Sequence, residues 1–512
     1  MELEKTKNTI NGFFVGTVAQ IINLLLPFLL RTVMIYSIGI EYAGVNSLFT
    51  SIINVLSLAN LGFSSAVIFS MYKPIKENDY DQLGKLLGYY RYLYYIVGTV
   101  ILVCGLAVMP FLRQIVTSEI PGNMNLYFLY FCFVFNASVT YLFGGYRSSV
   151  LFAYQRNDIY SIVSTVVIII GYTLQIFALL LFKNYYAYLF LMIAINLATN
   201  VAAAYAAKRM FPKVNPRSGL DAESKKMIFS KVKDLLYQRI GNTFSTSLDS
   251  MVISRYIGLA AVAIYGNYFY IFSAANSFMS SFFSSLTAGV GNKILNSSRE
   301  ENIVVYHRLT TISGLLVAFC CACLACLYQP FMKLWMGESL MYPMDVVICL
   351  VLYFFVAGAR RIVGTYKDAL GLWHPDRWKS IVGAGVNLVL NVALVKTIGV
   401  SGVVISTIVS YLFVEMPWET HVLYKQYFEI PEIDFYQRLL KQFLTTVIVC
   451  AGSYGLTMLV QVENTFLNFL IAFVITVPSA LAILWLLYRK NDDFRFMMER
   501  ITQFAKQKLH RA

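Results

Sequence analysis

Charge is what this sequence has least of. Asp, Glu, Lys and Arg make up 13% of its 512 residues, against roughly a quarter in soluble domains. No polar module surrounds the basic stretches, so the formal net charge of +14 does not point to RNA or DNA. A phosphate-cradling G-x-x-x-x-G-K-[ST] loop is missing, which excludes nucleotide hydrolysis by the usual loop in this chain. The two longer outer connections, near 113–124 and 329–342, contain no cysteine, and Cys104, Cys132, Cys349 and Cys450 fall singly in apolar runs. No disulfide framework follows from that spacing. The run "CCACLAC" (320–326) spreads its thiols over several faces of one helix with no second ligand cluster, so it reads as small-residue packing and not as a metal site. Neither a metal nor a cofactor is expected. Long outer loops are missing too, and they are where a membrane glycosyltransferase, polymerase or acyltransferase would present its catalytic side chains.

What fills the chain is apolar: 58% of its residues are hydrophobic. Cutting at charged and Gly/Pro-rich punctuation leaves about fourteen runs, each near the ~20 residues that cross hydrocarbon as a helix. They lie near 10–38, 43–70, 90–112, 125–146, 160–182, 186–207, 236–257, 260–288, 308–328, 343–362, 379–397, 401–422, 442–460 and 465–488. The expected class is an all-α polytopic membrane protein. The first run is longer than the apolar region of a secretory signal and no small-x-small cleavage site follows it, so it reads as a retained helix. With the N-terminus inside, all of the 41 Lys and Arg except Arg31, Arg113, Lys183, Arg255, Lys333 and Lys396 fall on the cytoplasmic side, as short basic loops do. Both termini are then cytoplasmic, and the excess positive charge faces anionic lipid.

Two copies of one pattern run through these spans. "IGIEYAGVNSLF" begins at Ile38 and "IGLAAVAIYGNYFY" at Ile257, an offset of 219. "GYRSSVLFAYQRNDIYSIVS" (145–164) resembles "TYKDALGLWHPDRWKSIVG" (365–383), pairing Tyr146 with Tyr366, Arg147 with Lys367 and Ser161 with Ser380 at offsets of 219 and 220. Spans one to six and seven to twelve then form a parallel repeat, an arrangement in which transporters place substrate between the halves. The expected organisation is an N-terminal lobe (1–207), a basic cytoplasmic linker (208–235), a C-terminal lobe (236–423), two added helices (424–488) and a basic tail (489–512).

One charge stands out. Arg31 sits in "NLLLPFLLRTVMIYSIG" (23–39), inside the first span, where a guanidinium is unfavourable by at least ~2.5 kcal/mol and is expected to face protein interior or a wet cavity. Pro27, four residues earlier, removes a backbone hydrogen bond and bends the helix. At the repeat offset stands Asp249, in "SLDSMVISRYIG", also eight or nine residues before an Ile-Gly. The pair reads either as a substrate site or as a buried ion pair that fixes packing.

The segments 38–95 and 248–271, followed by "AGVGN" (288–292), resemble bacterial polysaccharide-type flippases of the multidrug/oligosaccharidyl-lipid/polysaccharide superfamily. The resemblance implies a V-shaped pair of six-helix lobes plus two helices, a multi-pass protein of the bacterial cytoplasmic membrane and no enzymatic activity. It also implies a substrate: polyprenyl-pyrophosphate-linked oligosaccharide moved from the cytoplasmic to the outer leaflet by alternating access, for capsule, O-antigen or exopolysaccharide. Polysaccharide polymerase and glycosyltransferases are then candidate partners, beside membrane lipids. Related peptidoglycan-precursor flippases also carry cavity arginines on their first helix, as Arg31 does here, while their other basic positions find no match. A multidrug or other small-molecule exporter of the same fold is the rival reading, which a cationic first lobe disfavours.

A diphosphate suits Arg31, whose planar fork donates two parallel bonds and stays protonated. Arg255 is a second candidate, although it lies near the outer end of its span, where it can snorkel. Asp249 would hold Arg31 between substrates or bind a coupling cation. Gln20, Asn23, Asn46, Asn136 and Asn267 are candidate glycan contacts, each equally readable as an interhelical hydrogen bond. Arg147, Arg360, Arg361 and Lys367 form a candidate cytoplasmic entrance that would attract an anionic head group, with positive-inside anchoring as the plain alternative. Glu415, beside Pro417, is an intramembrane carboxylate and a candidate proton site. His307, His374 and His421 fall at inner helix ends, and "GAG" at 383–385 reads as helix packing.

Overall fold

The structure is a computed structural model that describes residues 5–57, 63–120, 122, 124–372, 374–460 and 462–499. Within these, the side chains of 5–20, 63, 65, 66, 230–242, 245, 246, 284–289, 292 and 295 lie outside the description. The described chain is helical, with no strand among the described residues. It divides into two compact units, Met1–Ala263 and Ile264–Ala512.

The first unit holds α1 (Lys5–Ile38), α2 (Ile40–Leu56), α3 (Phe63–Glu77), α4 (Tyr80–Val108), the short α5 (Leu112–Ile115), α6 (Leu126–Leu142), the short α7 (Ser148–Ala153), α8 (Asn157–Phe177), α9 (Tyr185–Met210) and α10 (Ala222–Tyr256). α11 (Leu259–Asn296) begins there and continues into the second unit. The expected span 43–70 is two helices, α2 and α3, and the linker expected at 208–235 is helical from Ala222 onward, because Asp221 caps α10 by accepting from Ser224 N–H. That bond holds the Asp221 carboxyl below the usual carboxylate range. The rest of the linker is strapped to α4. Arg217 N–H donates to Gly84 O at 2.8 Å, and a Cβ on Gly88 would stand 1.9 Å from Arg217 O. Val214, Leu220 and Ile228 are buried in one cluster with Leu83, Leu87 and Tyr90 of α4.

Helix starts follow from side chains the sequence supplies. Asp79, Asn125 and Asn184 each accept a backbone N–H in the first turn of α4, α6 and α9, which satisfies donors that have no partner within the helix. The repeat also shows in the backbone. Gly39 (φ 116°) and Gly258 (φ 125°) follow α1 and α10, each with a positive φ that a side chain rarely adopts. Gly44 then lets α2 approach the start of α11 so closely that a Cβ would stand 2.1 Å from Leu259 O.

The second unit continues with α12 (Arg299–Met336), α13 (Met344–Ala359), α14 (Arg361–Leu370), α15 (Lys379–Ser410), α16 (Met416–Leu423), α17 (Ile433–Met458) and α18 (Thr465–Tyr488). The separate spans expected at 379–397 and 401–422 run on from one another, broken at Ile398 and Gly399 (φ 60°), where the backbone leaves helical values. The unbroken length from Lys379 to Phe428 would be 50 residues, about twice what one crossing needs, so the break separates two crossings. α17 and α18 pack on α12 around Ala318, Ala322 and Val449. By length and composition, nine helical stretches among the described residues, the broken Lys379–Phe428 taken as one of them, can cross a membrane, or ten if the bent pair Leu126–Leu142 and Gly145–Ala153 is one span.

Candidate functional site

Two polar centres interrupt the apolar interior, one in each unit. In the first, α1 carries Arg31 at half-buried depth. Its Nη1 donates to Ser47 Oγ of α2 at 3.0 Å and its Nη2 to Ala263 O at 2.9 Å. Both acceptors are neutral oxygens, and these two bonds orient the guanidinium. Next to it, the Tyr188 hydroxyl of α9 meets the Asn46 side chain and the Arg31 charge. The structure therefore gathers Arg31 and Asn46, two residues named separately from sequence, around Ser47 and Tyr188, which were not named. Asp249 lies on α10 at 2% exposure, with Ser247 and Ser250 also buried.

The remaining candidates are dispersed. Arg255 and Asn23 are exposed, and the Gln20 side chain is outside the described residues. Asn136 is half-buried, and its carbonyl accepts from Asn196 Nδ2 at 2.7 Å. In the same patch Thr140 Oγ1 donates to Asn196 Oδ1 at 2.9 Å, and Asn200 Nδ2 donates to Asn196 Oδ1 at 3.0 Å. Arg147 lies over the Tyr146 ring at 5.8 Å. Asn267 is buried in the second unit.

The second centre is charged. Arg360, at the end of α13, donates to Glu415 Oε2 at 2.6 Å and to both oxygens of Glu419, at 3.0 and 3.1 Å. Its guanidinium lies 4.2 Å from the Tyr411 ring centroid. Lys379 donates to Asp376 at 2.7 Å and also to Glu419, and Lys367 pairs with Asp376. Three cations thus meet three carboxylates, Asp376 and Glu415 both at 0% exposure and Lys367 at 1%. The charges cancel in number, and low dielectric demands that closeness. Arg361, next in the chain, turns elsewhere and donates to Ser280 Oγ at 2.8 Å and to Asn276. Of the four side chains expected at a cytoplasmic entrance, Arg360 and Lys367 are therefore held by buried carboxylates, whereas Arg147 and Arg361 are half-buried.

Glu419, Asp376 and Lys379 were not singled out from sequence. Their signal was there: Glu415 and Glu419 are spaced i, i+4 and share a helix face, and "HPDRWK" (374–379) supplies the counter-charges. Among the histidines, His307 Nε2 lies 2.9 Å from Asp434 Oδ2, and Arg438 donates to the same carboxylate, which ties α12 to α17. Among the described residues no group of three or more His, Cys, Asp or Glu could hold a metal.

No protein-family model matches the sequence, and no curated protein matches it. Solved structures do. A Lipid II flippase, MurJ, in an inward closed conformation superposes with a TM-score of 0.65 at 13% identity, over 94% of this chain and 99% of that one. An inward-facing multidrug resistance MATE family transporter of the MOP superfamily gives 0.58 at 14% identity, over 82% and 96%. A MOP superfamily transporter from Pyrococcus furiosus gives 0.50 at 14% identity, over 85% and 94%. The fold is that of the MOP-superfamily transporters. This MATE-like, polytopic, all-helical membrane fold is the class expected from the sequence. In the first unit α6 and α9 lie beside each other where the Asn136 patch is, and in the second unit Arg360 meets the carboxylates of α16 and the turn before it.

Proposed function

We propose that the chain is a flippase that carries polyprenyl-pyrophosphate-linked oligosaccharide repeat units from the cytoplasmic to the outer leaflet by alternating access, with both termini cytoplasmic in a bacterial cell membrane. The observation that carries the reading is Arg31, a guanidinium inside an apolar span that hydrogen bonds to Ser47 and Ala263 hold in a fixed orientation. Likeness to a protein described as a Lipid II flippase supports a lipid-linked substrate. A diphosphate carries negative charge across low dielectric, and a preoriented guanidinium offsets that penalty by charge-assisted bonds. Asn46 and Tyr188, beside it, offer neutral donors for a sugar. Capsule, O-antigen or another exopolysaccharide is the destination of such a unit. Arg360 and the buried Lys367 already have carboxylate partners, so Arg147 and Arg361 remain the better candidates for attracting a head group at the cytoplasmic mouth.

A multidrug exporter has its own support in the MATE structures. Expression of the chain in a strain lacking its own glycan flippase separates the two readings. Restored surface glycan supports the proposal, and Arg31→Ala should abolish display with the protein still inserted. Raised resistance to organic cations with no glycan displayed would favour the exporter. Swapping charges, Arg31→Asp with Asp249→Arg, should leave a folded protein that does not transport, and full activity there would reduce Arg31 to a packing role.

A further inference from the structure

The last span of the repeat ends differently in the two units. In the second, the Tyr424 ring, just after α16, packs against Tyr306 of α12 and Phe435 of α17, and its hydroxyl donates to Asp434 Oδ2 at 3.2 Å. The acidic start of α17 and the apolar helix behind it thus cover that face. Tyr205 of α9 stands 219 positions earlier, the offset at which the sequence repeats, and it is 64% exposed where Tyr424 is 0%. Val363 is 1% exposed, and Phe143, 220 positions before it, is 47% exposed. Among the described residues, the first unit leaves bare the face that the second unit covers.

Charge differs at the same place. Lys367 pairs with the buried Asp376. The matching Arg147 lies over the Tyr146 ring and, among the described residues, its side chain has neither a hydrogen bond nor an ion pair. Where the second unit has Asp376 the first has Arg156, whose fork is filled by Asp158 at 2.9 and 3.0 Å. Where the second has Glu415 and Glu419, the first has Asn196 and Asn200. The turn Gly145–Arg147 packs on α9, and a Cβ on Gly144 would stand 3.6 Å from Ala204 Cβ. Lys208 follows Ala204 by four residues and so lies on the same face of α9. It is exposed, and Tyr427 takes its place in the second unit. The first unit therefore sets a guanidinium and an ammonium beside an uncovered aromatic surface, without the carboxylates that neutralise the second copy.

We infer that this end of the first unit is a binding site for an anionic phospholipid of the inner leaflet. Arg147 and Lys208 hold its phosphodiester, and its acyl chains lie over Phe143 and Tyr205 as α17 lies over Tyr424. Basic pockets between helices on the cytoplasmic side suit anionic head groups, and a guanidinium fork donates two parallel bonds to phosphate. The lipid supplies what α17 supplies in the second unit, an acidic head with an apolar body behind it. The site rests on the inside placement of the basic helix ends proposed above and not on the transport reading. A resident lipid there leaves Arg361 to meet the cargo.

Equilibrium binding of tail-labelled phosphatidylglycerol to the purified full-length protein in neutral detergent tests the site, with tail-labelled phosphatidylcholine as the zwitterionic comparison. The parent should bind phosphatidylglycerol saturably and prefer it about tenfold. Equal binding of the two lipids overturns the site. Arg147→Gln and Lys208→Tyr should each weaken phosphatidylglycerol about fivefold, and Arg147→Lys should keep most of the affinity. Lys425→Gln removes one exposed charge from the second unit and should bind as the parent does. An equal loss in Lys425→Gln and Arg147→Gln would reduce the effect to overall surface charge and overturn the site. Millimolar inorganic phosphate should leave the lipid bound. Displacement by it would make this a site for free phosphate, and displacement by polyprenyl-diphosphate oligosaccharide at lower concentration than phosphatidylglycerol would make it the cargo's entrance; either overturns the resident lipid. A protein that binds phosphatidylglycerol through Arg147 but moves no glycan keeps the lipid site and loses the flippase reading.

Discussion

Replacing Arg360 with Met removes the one cation that pairs with Glu415 and leaves a carboxylate at 0% exposure without a counter-charge. Breaking a buried pair from one side is destabilising by about 3–5 kcal/mol, because the partner is left charged and dry. Glu419 still has Lys379, so the loss is concentrated on Glu415. Glu415→Gln leaves Arg360 held by both oxygens of Glu419 and forfeits one charge-assisted bond, about 1.5–3 kcal/mol at most. In the double variant the remaining charges balance again, and its destabilisation should fall below that of Arg360→Met alone, with a coupling of about 2 kcal/mol between the sites. The assay is unfolding in detergent micelles, followed by tryptophan fluorescence, for all four corners of the cycle. Equal destabilisation in Arg360→Met and in the double variant would refute the reasoning, because it would mean that the Glu415 charge is compensated elsewhere.

Other outcomes follow from single positions. Gly44→Val should unfold the protein or block its accumulation, since a Cβ there meets the Leu259 carbonyl at 2.1 Å; normal expression would show that α2 and the start of α11 can separate. Gly88→Leu should release the strap at Arg217, whose carbonyl stands 1.9 Å from the added Cβ, and protease cleavage between 211 and 221 should rise sharply; unchanged cleavage would count against the strap. Asp221 has its carboxyl lowered by the Ser224 N–H bond, so the cap is intact above the ordinary carboxylate range and lost as pH falls through the lowered value. Protection of the Ser224 amide, measured against its intrinsic exchange rate at each pH, should therefore fall in acid, and a pH-independent protection factor would contradict that.

Much of the fold was legible because apolar length and helix punctuation are local. The caps at Asp79, Asn125 and Asn184 lie next to the runs they start, and the two Ile-Gly breaks announced the repeat that the backbone angles of Gly39 and Gly258 display. Span boundaries were legible unevenly. The boundary expected between 397 and 401 falls on a third Ile-Gly, Ile398–Gly399, where the backbone leaves helical values, whereas the division of the expected span 43–70 into α2 and α3 was not expected. The site was legible one residue at a time. Arg31 stood out because an intramembrane charge is costly whatever surrounds it, but its acceptors are a serine hydroxyl and a main-chain carbonyl, groups too common to be noticed in a sequence. Arg360 and Lys367 looked like surface cations because positive-inside statistics explain any basic residue at an inner helix end. Their ion pairs depend on Asp376, Glu415 and Glu419 arriving from other segments, and the i, i+4 spacing of the glutamates does not say which cation they meet.

Direct translocation across a bilayer tests the central proposal, that Arg31 conducts a diphosphate-linked glycan. Proteoliposomes loaded with a fluorescent polyprenyl-diphosphate oligosaccharide, and separately with the uncharged polyprenyl glycan, would report transfer to the outer leaflet by enzymatic capture of the sugar. The account predicts rapid transfer of the diphosphate form by the parent protein, little of the uncharged form, and loss of transfer in Arg31→Ala. Transfer of both forms at one rate, or full transfer of the diphosphate form by Arg31→Ala, would contradict it.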